Sequence, residues 1–368
     1  MEFPSFDRRT IVGLSIGALI PAFALTHTVV ARYRVSRHRL AEEWSARGER
    51  DLSDAPEAAV VDFQTALSFS PDRNDDRLRL AEALMQAHHP AEARAQLLTL
   101  WAEQPGNGRI NLALARLAAE DGDVGHAVRY YHAAVDGSWD SGAQAARREA
   151  RIESAKLLLA HGQLVRAQSE LIGIISDLPS DSGTITSVAA LLVSAGADSR
   201  ARALLDRALA LDPGNRDAAR LAGQIAFRSG DYHGAREYFR VAEVSDAESK
   251  EMLAISEDVI ALDPFARGLV HTDRVSRARE CLEIAAERLH RCQLPATAPP
   301  GAPLRYPDQA ARLEAARKLS VRQLTRDAEA LDDVMTLAFD IEKIQDAQCG
   351  PMDARDRALL ILAQRGVR

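Results

Sequence analysis

Aromatic residues are scarce, only 5% of the 368-residue chain, while alanine and leucine abound. That balance argues against sheets, which draw on aromatic and β-branched side chains, and for helices packed closely on one another. Three cysteines, Cys281, Cys292 and Cys349, are too few and too scattered for a disulfide framework. They fit a reducing compartment, and an oxidising one would leave room for a single bridge between Cys281 and Cys292. No charge of one sign dominates: the formal net charge of −7 comes from interleaved acids and bases. Without a basic patch and accompanying aromatics, nucleic acid is not an expected partner. Missing too are a phosphate loop, a dinucleotide glycine fingerprint, H-E-x-x-H and C-x-x-C. His88-His89 and the trio Cys281, His290 and Cys292 are the only hints of a metal site. A histidine pair at a helix turn is ordinarily solvated, so no metal or other cofactor is expected. Carboxylate runs such as Asp332-Asp333 sit on helix faces without a paired cleft. No catalytic constellation emerges, and an enzyme is not expected.

One long apolar run is present. Thr10–Ala31 contains no Asp, Glu, Lys or Arg, and at roughly 1.5 Å per residue it covers about 30 Å, the thickness of a bilayer core. Residues 10–31 therefore read as a transmembrane anchor behind a tail of residues 1–9, Pro21 kinking the helix without excluding it. The rival is a cleaved export signal, since Val29-Val30-Ala31 resembles a cleavage site and Arg8-Arg9 a twin-arginine pair. The run is longer than a usual signal core and meets Arg32, Arg34, Arg37 and Arg39 in the basic segment 32–39. Those four outnumber Arg8 and Arg9, which slightly favours a cytoplasmic soluble part over a periplasmic one. Gly13 and Gly17 are spaced to let two anchors pack as a homodimer, although glycine is common in membrane helices generally.

Beyond the basic segment the chain keeps a 34-residue rhythm, plainest in Ser182–Asn215 and Arg216–Ser249. The first of these blocks has Val188, Ala189, Gly196, Ala201, Leu205, Ala208 and Pro213. The second repeats the small, glycine and large places with Ala222, Gly223, Gly230, Ala235, Phe239 and Ala242. Small residues stand where two helices cross, large apolar ones between them, a glycine at the turn and a proline after the second helix. This pattern resembles the tetratricopeptide repeat (TPR), whose fold is an all-α, right-handed superhelical solenoid of antiparallel helix pairs. The register places six repeats from Leu40, with a degenerate seventh made of helices 249–262 and 273–291, so that the solenoid spans residues 40–292. Two irregularities stand out: His88-His89-Pro90 replaces the turn glycine of the second repeat, and Trp139 with about six extra residues at Gly142–Arg147 follows the third. The extra residues should lengthen a helix or form a bulge.

A proline-rich linker, residues 293–306, leads to a C-terminal helical region, 307–368. Its helices are expected at 307–319, 327–347 and 354–364, the middle one with an apolar stripe through Leu331, Val334, Met335, Ala338 and Ile341. Folding back on the solenoid is the simplest use of such a stripe; binding another copy or a partner are the others.

The resemblance implies where binding occurs, because the first helix of each TPR lines a concave groove, chiefly through its places two, five, nine, twelve and thirteen. Those places hold Leu78, Glu82 and Met85 in the second repeat and Arg109, Leu112 and Arg116 in the third. Ile152 and Lys156 come from the fourth, and Arg220, Gln224, Phe227 and Arg228 from the sixth. Arg116, Lys156, Arg220 and Arg228 facing inward would favour an acidic peptide, unless they are ordinary solvated charges. The lysine and asparagine that grip acidic chaperone tails in one TPR subtype are absent, their places taken by Leu78 and Glu82, and by Leu112 and Arg116. The layout resembles bacterial membrane-anchored TPR scaffold proteins that assist envelope assembly. The expected function is thus protein or peptide binding in the groove, with an exported, soluble periplasmic adaptor as the alternative.

Overall fold

A computed structural model describes residues 8–293, 304–344 and 349–365. Among these every regular element is a helix, apart from an isolated bridge between Asn107 and Ser138. The chain divides into two compact units, Met1–Asp177 and Leu178–Arg368.

The first unit contains α1 (Arg8–Asp51), α2 (Pro56–Phe69), α3 (Asn74–Gln86), α4 (Pro90–Glu103), α5 (Gly108–Glu120), α6 (Val124–Asp136), α7 (Ala143–Ala160) and α8 (Leu164–Ile172), then a 3₁₀ turn at Ile175–Asp177. Each helix packs on the next, so that α1 with α2, α3 with α4, α5 with α6 and α7 with α8 form successive pairs. Proline at the first position of α2 and α4 starts those helices where a missing N–H is harmless. Asn107 starts α5 by accepting from the N–H groups of Arg109 and Ile110 at 3.0 and 3.3 Å. Between the pairs lie fully buried Ala59, Phe63, Ala81, Ala93 and Leu97, the small and large places of the repeat. Truncating a leucine as buried as Leu97 to alanine costs about 2–5 kcal/mol.

The extra residues after the third repeat lengthen a helix: α7 starts at Ala143, five residues ahead of the register, after Gly142 in the left-handed region. Trp139, standing for the closing proline, lies flat against Gly108, where an added Cβ would sit 2.2 Å from its ring. Its indole N–H donates to the Ala134 carbonyl at 2.9 Å.

The turn between the helices of a pair is left-handed at Gly122, Gly162, Gly196 and Gly230, with φ between 69° and 79°. At the same place in the second repeat, His88 is forced to φ 59°. A Cβ in that region costs roughly 1–2 kcal/mol, and glycine's extra freedom in the unfolded chain returns about 0.4–1 kcal/mol of it. His88→Gly should therefore raise stability by about 0.5–1 kcal/mol in urea unfolding.

The second unit continues with α9 (Ser182–Ser194), α10 (Asp198–Leu211), α11 (Arg216–Arg228), α12 (Tyr232–Ala242), α13 (Ala247–Leu262) and α14 (His271–Gln293). Gly223 of α11 brings that helix against Phe239 of α12; a Cβ there would lie 2.7 Å from the ring. After the linker come α15 (Pro307–Arg317), α16 (Val321–Arg326), α17 (Ala328–Glu342) and α18 (Ala354–Arg365). The stripe Leu331, Val334, Met335, Ala338 and Ile341 is buried in one core with Val259 of α13, Val275 and Leu282 of α14, and Leu359 and Leu362 of α18. The C-terminal helices thus fold back on the seventh helix pair.

The cysteine pairing differs from the expected one: Cys292 bonds to Cys349, and Cys281 is the free, fully buried thiol. Cys281 and Cys292 stand eleven residues apart on one continuous helix, a separation of about 16 Å that no disulfide spans. Burial pushes the Cys281 thiol up to about 12, leaving it unreactive.

Among the described residues no helix is long and apolar enough to cross a membrane. The backbone of α1 runs through residues 10–31, but the side chains of residues 1–22 and of Ala24 lie outside the described residues. Most of the expected anchor falls there, together with Gly13 and Gly17, as do residues 294–303 of the linker.

Candidate binding groove

Helices α3, α5 and α7, with Leu52 just after α1, line an open cavity of about 540 Å³. Five of the expected groove residues meet there: Glu82, Met85, Arg109, Leu112 and Arg116. Helical spacing explains this, because places two, five, nine and twelve of a helix fall on one stripe. Leu78 does not join them; it is buried in the core and edges a separate hollow beside Leu100 and Ile110. Ile152 is half-buried and Lys156 exposed on α7, neither lining the cavity.

Several lining residues escaped the sequence reading. Glu149 holds place two of the fourth repeat, so the same rule applied once more finds it. Arg79 and Ala113 stand one place beyond the expected stripe, and Trp139, at the place of the usual closing proline, is part of the lining. Leu52, Met85, Leu112, Ala113, Trp139 and Ala146 make up the apolar part of the lining, the groove's floor.

The charges around this floor are paired. Arg79 bonds Glu49 at 2.6 Å and Glu82 at 2.7 Å, and Arg109 reaches Glu82 at 3.5 Å. Arg116 grips Glu153 through two nitrogens at 2.7 and 3.0 Å and Glu149 at 2.7 Å. The bond to Glu153 raises the guanidinium pKa further, while burial, aided by the Glu153 charge, pushes the Tyr131 phenol up. Three arginines thus face Glu49, Glu82, Glu149 and Glu153, with Glu120 also on the rim. The positive excess that an acidic client needs is missing.

The remaining four expected residues lie on α11 in the second unit. Arg228 holds both carboxylate oxygens of Asp198 at 3.0 Å, and Arg220 leans on Asp217 at 3.4 Å. Phe227 meets Tyr232 edge-on, ring centres 5.5 Å apart, and packs on the C-terminal core. Gln224 is half-buried. These side chains are occupied within the protein rather than gathered around an open cavity.

Models of the tetratricopeptide repeat match residues 52–117 and 192–250. No curated protein matches the chain. Among solved structures, pilF of Pseudomonas aeruginosa is similar at 19% identity and TM-score 0.44, over 60% of this chain and 99% of that one. The C-terminal part of a TPR repeat-containing protein from Cytophaga hutchinsonii aligns at 13% identity and TM-score 0.46, over 67% and 94%. PilW, described as a widely conserved type IV pilus biogenesis factor, aligns at 18% identity and TM-score 0.41, over 60% and 98%. The matched segments fall on helix pairs that keep the 34-residue register in both units, with buried crossings at the repeat's own places and glycine turns at Gly196 and Gly230 in the second. The chain carries tetratricopeptide repeats at residues 52–117 and 192–250.

Proposed function

We propose that the chain is a membrane-tethered scaffold that holds an apolar segment of a partner protein in the groove of α3, α5 and α7. The observation that carries this is an open, preformed apolar floor whose surrounding charges already satisfy one another. A preformed groove loses little entropy on binding, and its affinity rests on buried side chains rather than on net charge. The expectation of an acidic client is thereby replaced: such a client would have to break the bonds of Arg116 to Glu149 and Glu153.

Tethering draws support from α1, whose helix runs from Asp51, next to the groove's Leu52, back into the apolar run. Phe23, Leu25, Val29 and Val30 point outward on several sides of it, each between 47% and 75% exposed. Apolar side chains on several sides of a helix suit lipid better than water. We place the soluble part on the oxidising side of that membrane, because the Cys292–Cys349 bond persists there and is reduced in the cytosol. This outweighs the slight charge preference given by Arg32, Arg34, Arg37 and Arg39. A soluble form released by cleavage near Ala31 would keep the same groove, and mass spectrometry of the amino terminus separates the two.

The groove is tested by a photocrosslinking residue at Gln86, an exposed part of its wall, in native membranes. Adducts should form there and not from Val165, and should survive a rise from about 50 to about 500 mM salt, which screens exposed charges. Met85→Glu should weaken capture about tenfold or more, with unchanged helix content. Adducts that vanish at high salt, or that ignore the Met85 change, rule out an apolar client here.

A further inference from the structure

The insertion that breaks the repeat register also builds a second cavity. About 430 Å³ in volume, it lies in the first unit between the end of α6, the start of α7 and the turn after α8. Arg147, Arg148 and Arg151 line it, and Arg147 comes from the inserted residues themselves. Their spacing, i, i+1 and i+4, sets them on one side of α7, while Ala146 and Glu149, which line the groove, and Glu153, bonded to Arg116, lie roughly opposite. The carboxylates of α7 are therefore committed to Arg116, away from these arginines.

How the arginines are held distinguishes this cavity from the groove. Arg147 donates to the Gly137 carbonyl at 3.0 Å and Arg148 to the Asp177 carbonyl at 3.2 Å. Backbone carbonyls fix a guanidinium without cancelling its charge, and each keeps further N–H donors. Among the described residues no carboxylate forms an ion pair with Arg147 or Arg148. Arg151 reaches Glu170 at 3.4 Å, but Glu170 is shared with His132 at 2.6 Å. Asp177 supplies the counter-charge on the rim, its Oδ1 taking a 3.4 Å hydrogen bond from Ser176. Gly173 keeps the space clear, since a Cβ there would come within 2.9 Å of the Arg151 guanidinium.

We propose that this pocket binds a phosphate group. Planar guanidinium forks match tetrahedral oxyanions, and a phosphate's negative charge answers the surplus of positive charge. Free phosphate and the phosphate of a lipid headgroup share this chemistry. The site is separate from the partner groove and does not depend on it.

Calorimetry on the full chain in detergent is the test, with inorganic phosphate in one arm and a soluble glycerophosphodiester headgroup in the other. Saturable binding of phosphate alone assigns a free or monoester phosphate, and equal binding of the diester assigns a headgroup. Arg147→Gln with Arg148→Gln should weaken either by at least tenfold, whereas Arg200→Gln, on the exposed face of α10, should not. In the unaltered chain, phosphate should also slow phenylglyoxal modification of Arg147 and Arg148 severalfold, and leave Arg200 unprotected. That second measurement stands even if the double variant misfolds. Absence of saturable binding in both arms, or equal modification with and without phosphate, overturns the proposal.

Discussion

Reducing the Cys292–Cys349 bond, or replacing both cysteines by serine, should lower the stability of the second unit by up to about 4 kcal/mol. The bond closes a loop across a sequence separation of 57 residues, and the chain-entropy model gives about 4 kcal/mol for a loop of that size. Inside the loop lie α15, α16 and α17, and any structure they retain in the unfolded chain lowers the loss, so the full entropic figure is an upper bound. Urea unfolding followed with and without a thiol reductant measures the loss, and the serine pair should no longer respond to the reductant. Thiol counting gives an independent check. Denatured without reductant, the protein should show one reactive thiol, Cys281, and denatured with it three. Three thiols in both conditions would remove the bond, and with it the argument for an oxidising compartment.

How much of this was legible beforehand depended on whether local spacing or distant contact decided the matter. The helix pairs were legible because each repeat writes its own register. Helices α3, α5, α9 and α11 begin at Asn74, Gly108, Ser182 and Arg216, the places where the 34-residue count resets. The groove was half legible. Place number predicted that Glu82, Met85, Arg109, Leu112 and Arg116 would share a surface, but it carried no information on which carboxylates would meet the arginines. Arg116 pairs with Glu149 and Glu153, 33 and 37 residues away, so a basic groove read from one helix at a time became a balanced one in the fold. The cysteines failed for the opposite reason. A helix expected to end at residue 291 leaves Cys292 free to turn back, whereas α14 continues to Gln293 and fixes Cys281 and Cys292 too far apart. Cys349 lay beyond a proline-rich linker, and only the return of the C-terminal helices brings it to Cys292.

Arg288→Met should cost the second unit about 3–5 kcal/mol near pH 9, through the carboxylates it leaves behind. Arg288 is 3% exposed and sits between Glu342 and Asp356, which are 0% and 1% exposed. Its Nε lies 3.4 Å from Glu342 and its Nη1 3.8 Å from Asp356, and its Nη2 donates to the Ile344 carbonyl at 3.0 Å. Asp356 has further partners in Arg291 and the Asp353 N–H, but neither oxygen of Glu342 accepts a hydrogen bond. One buried cation therefore serves two buried carboxylates, and Glu342 is the surplus one. Burial, reinforced by the charge of Asp356, pushes its carboxyl from the ordinary 4.5 up to about 8. The folded chain then holds a proton that the unfolded chain releases between those two values. Stability should fall as pH rises from about 4.5 to about 8, by at most about 1.4 kcal/mol per pH unit, and level off above. Glu342→Gln removes that proton exchange. Its unfolding free energy should match that of the unaltered chain near pH 5, exceed it near pH 9, and vary less in between. The Arg288→Met deficit should run the other way, smallest at pH 5, where Glu342 is neutral, and largest at pH 9, where two carboxylates share the core without their cation. Parallel pH profiles for the two variants and the unaltered chain would mean that Glu342 is already ionised and paired throughout this range.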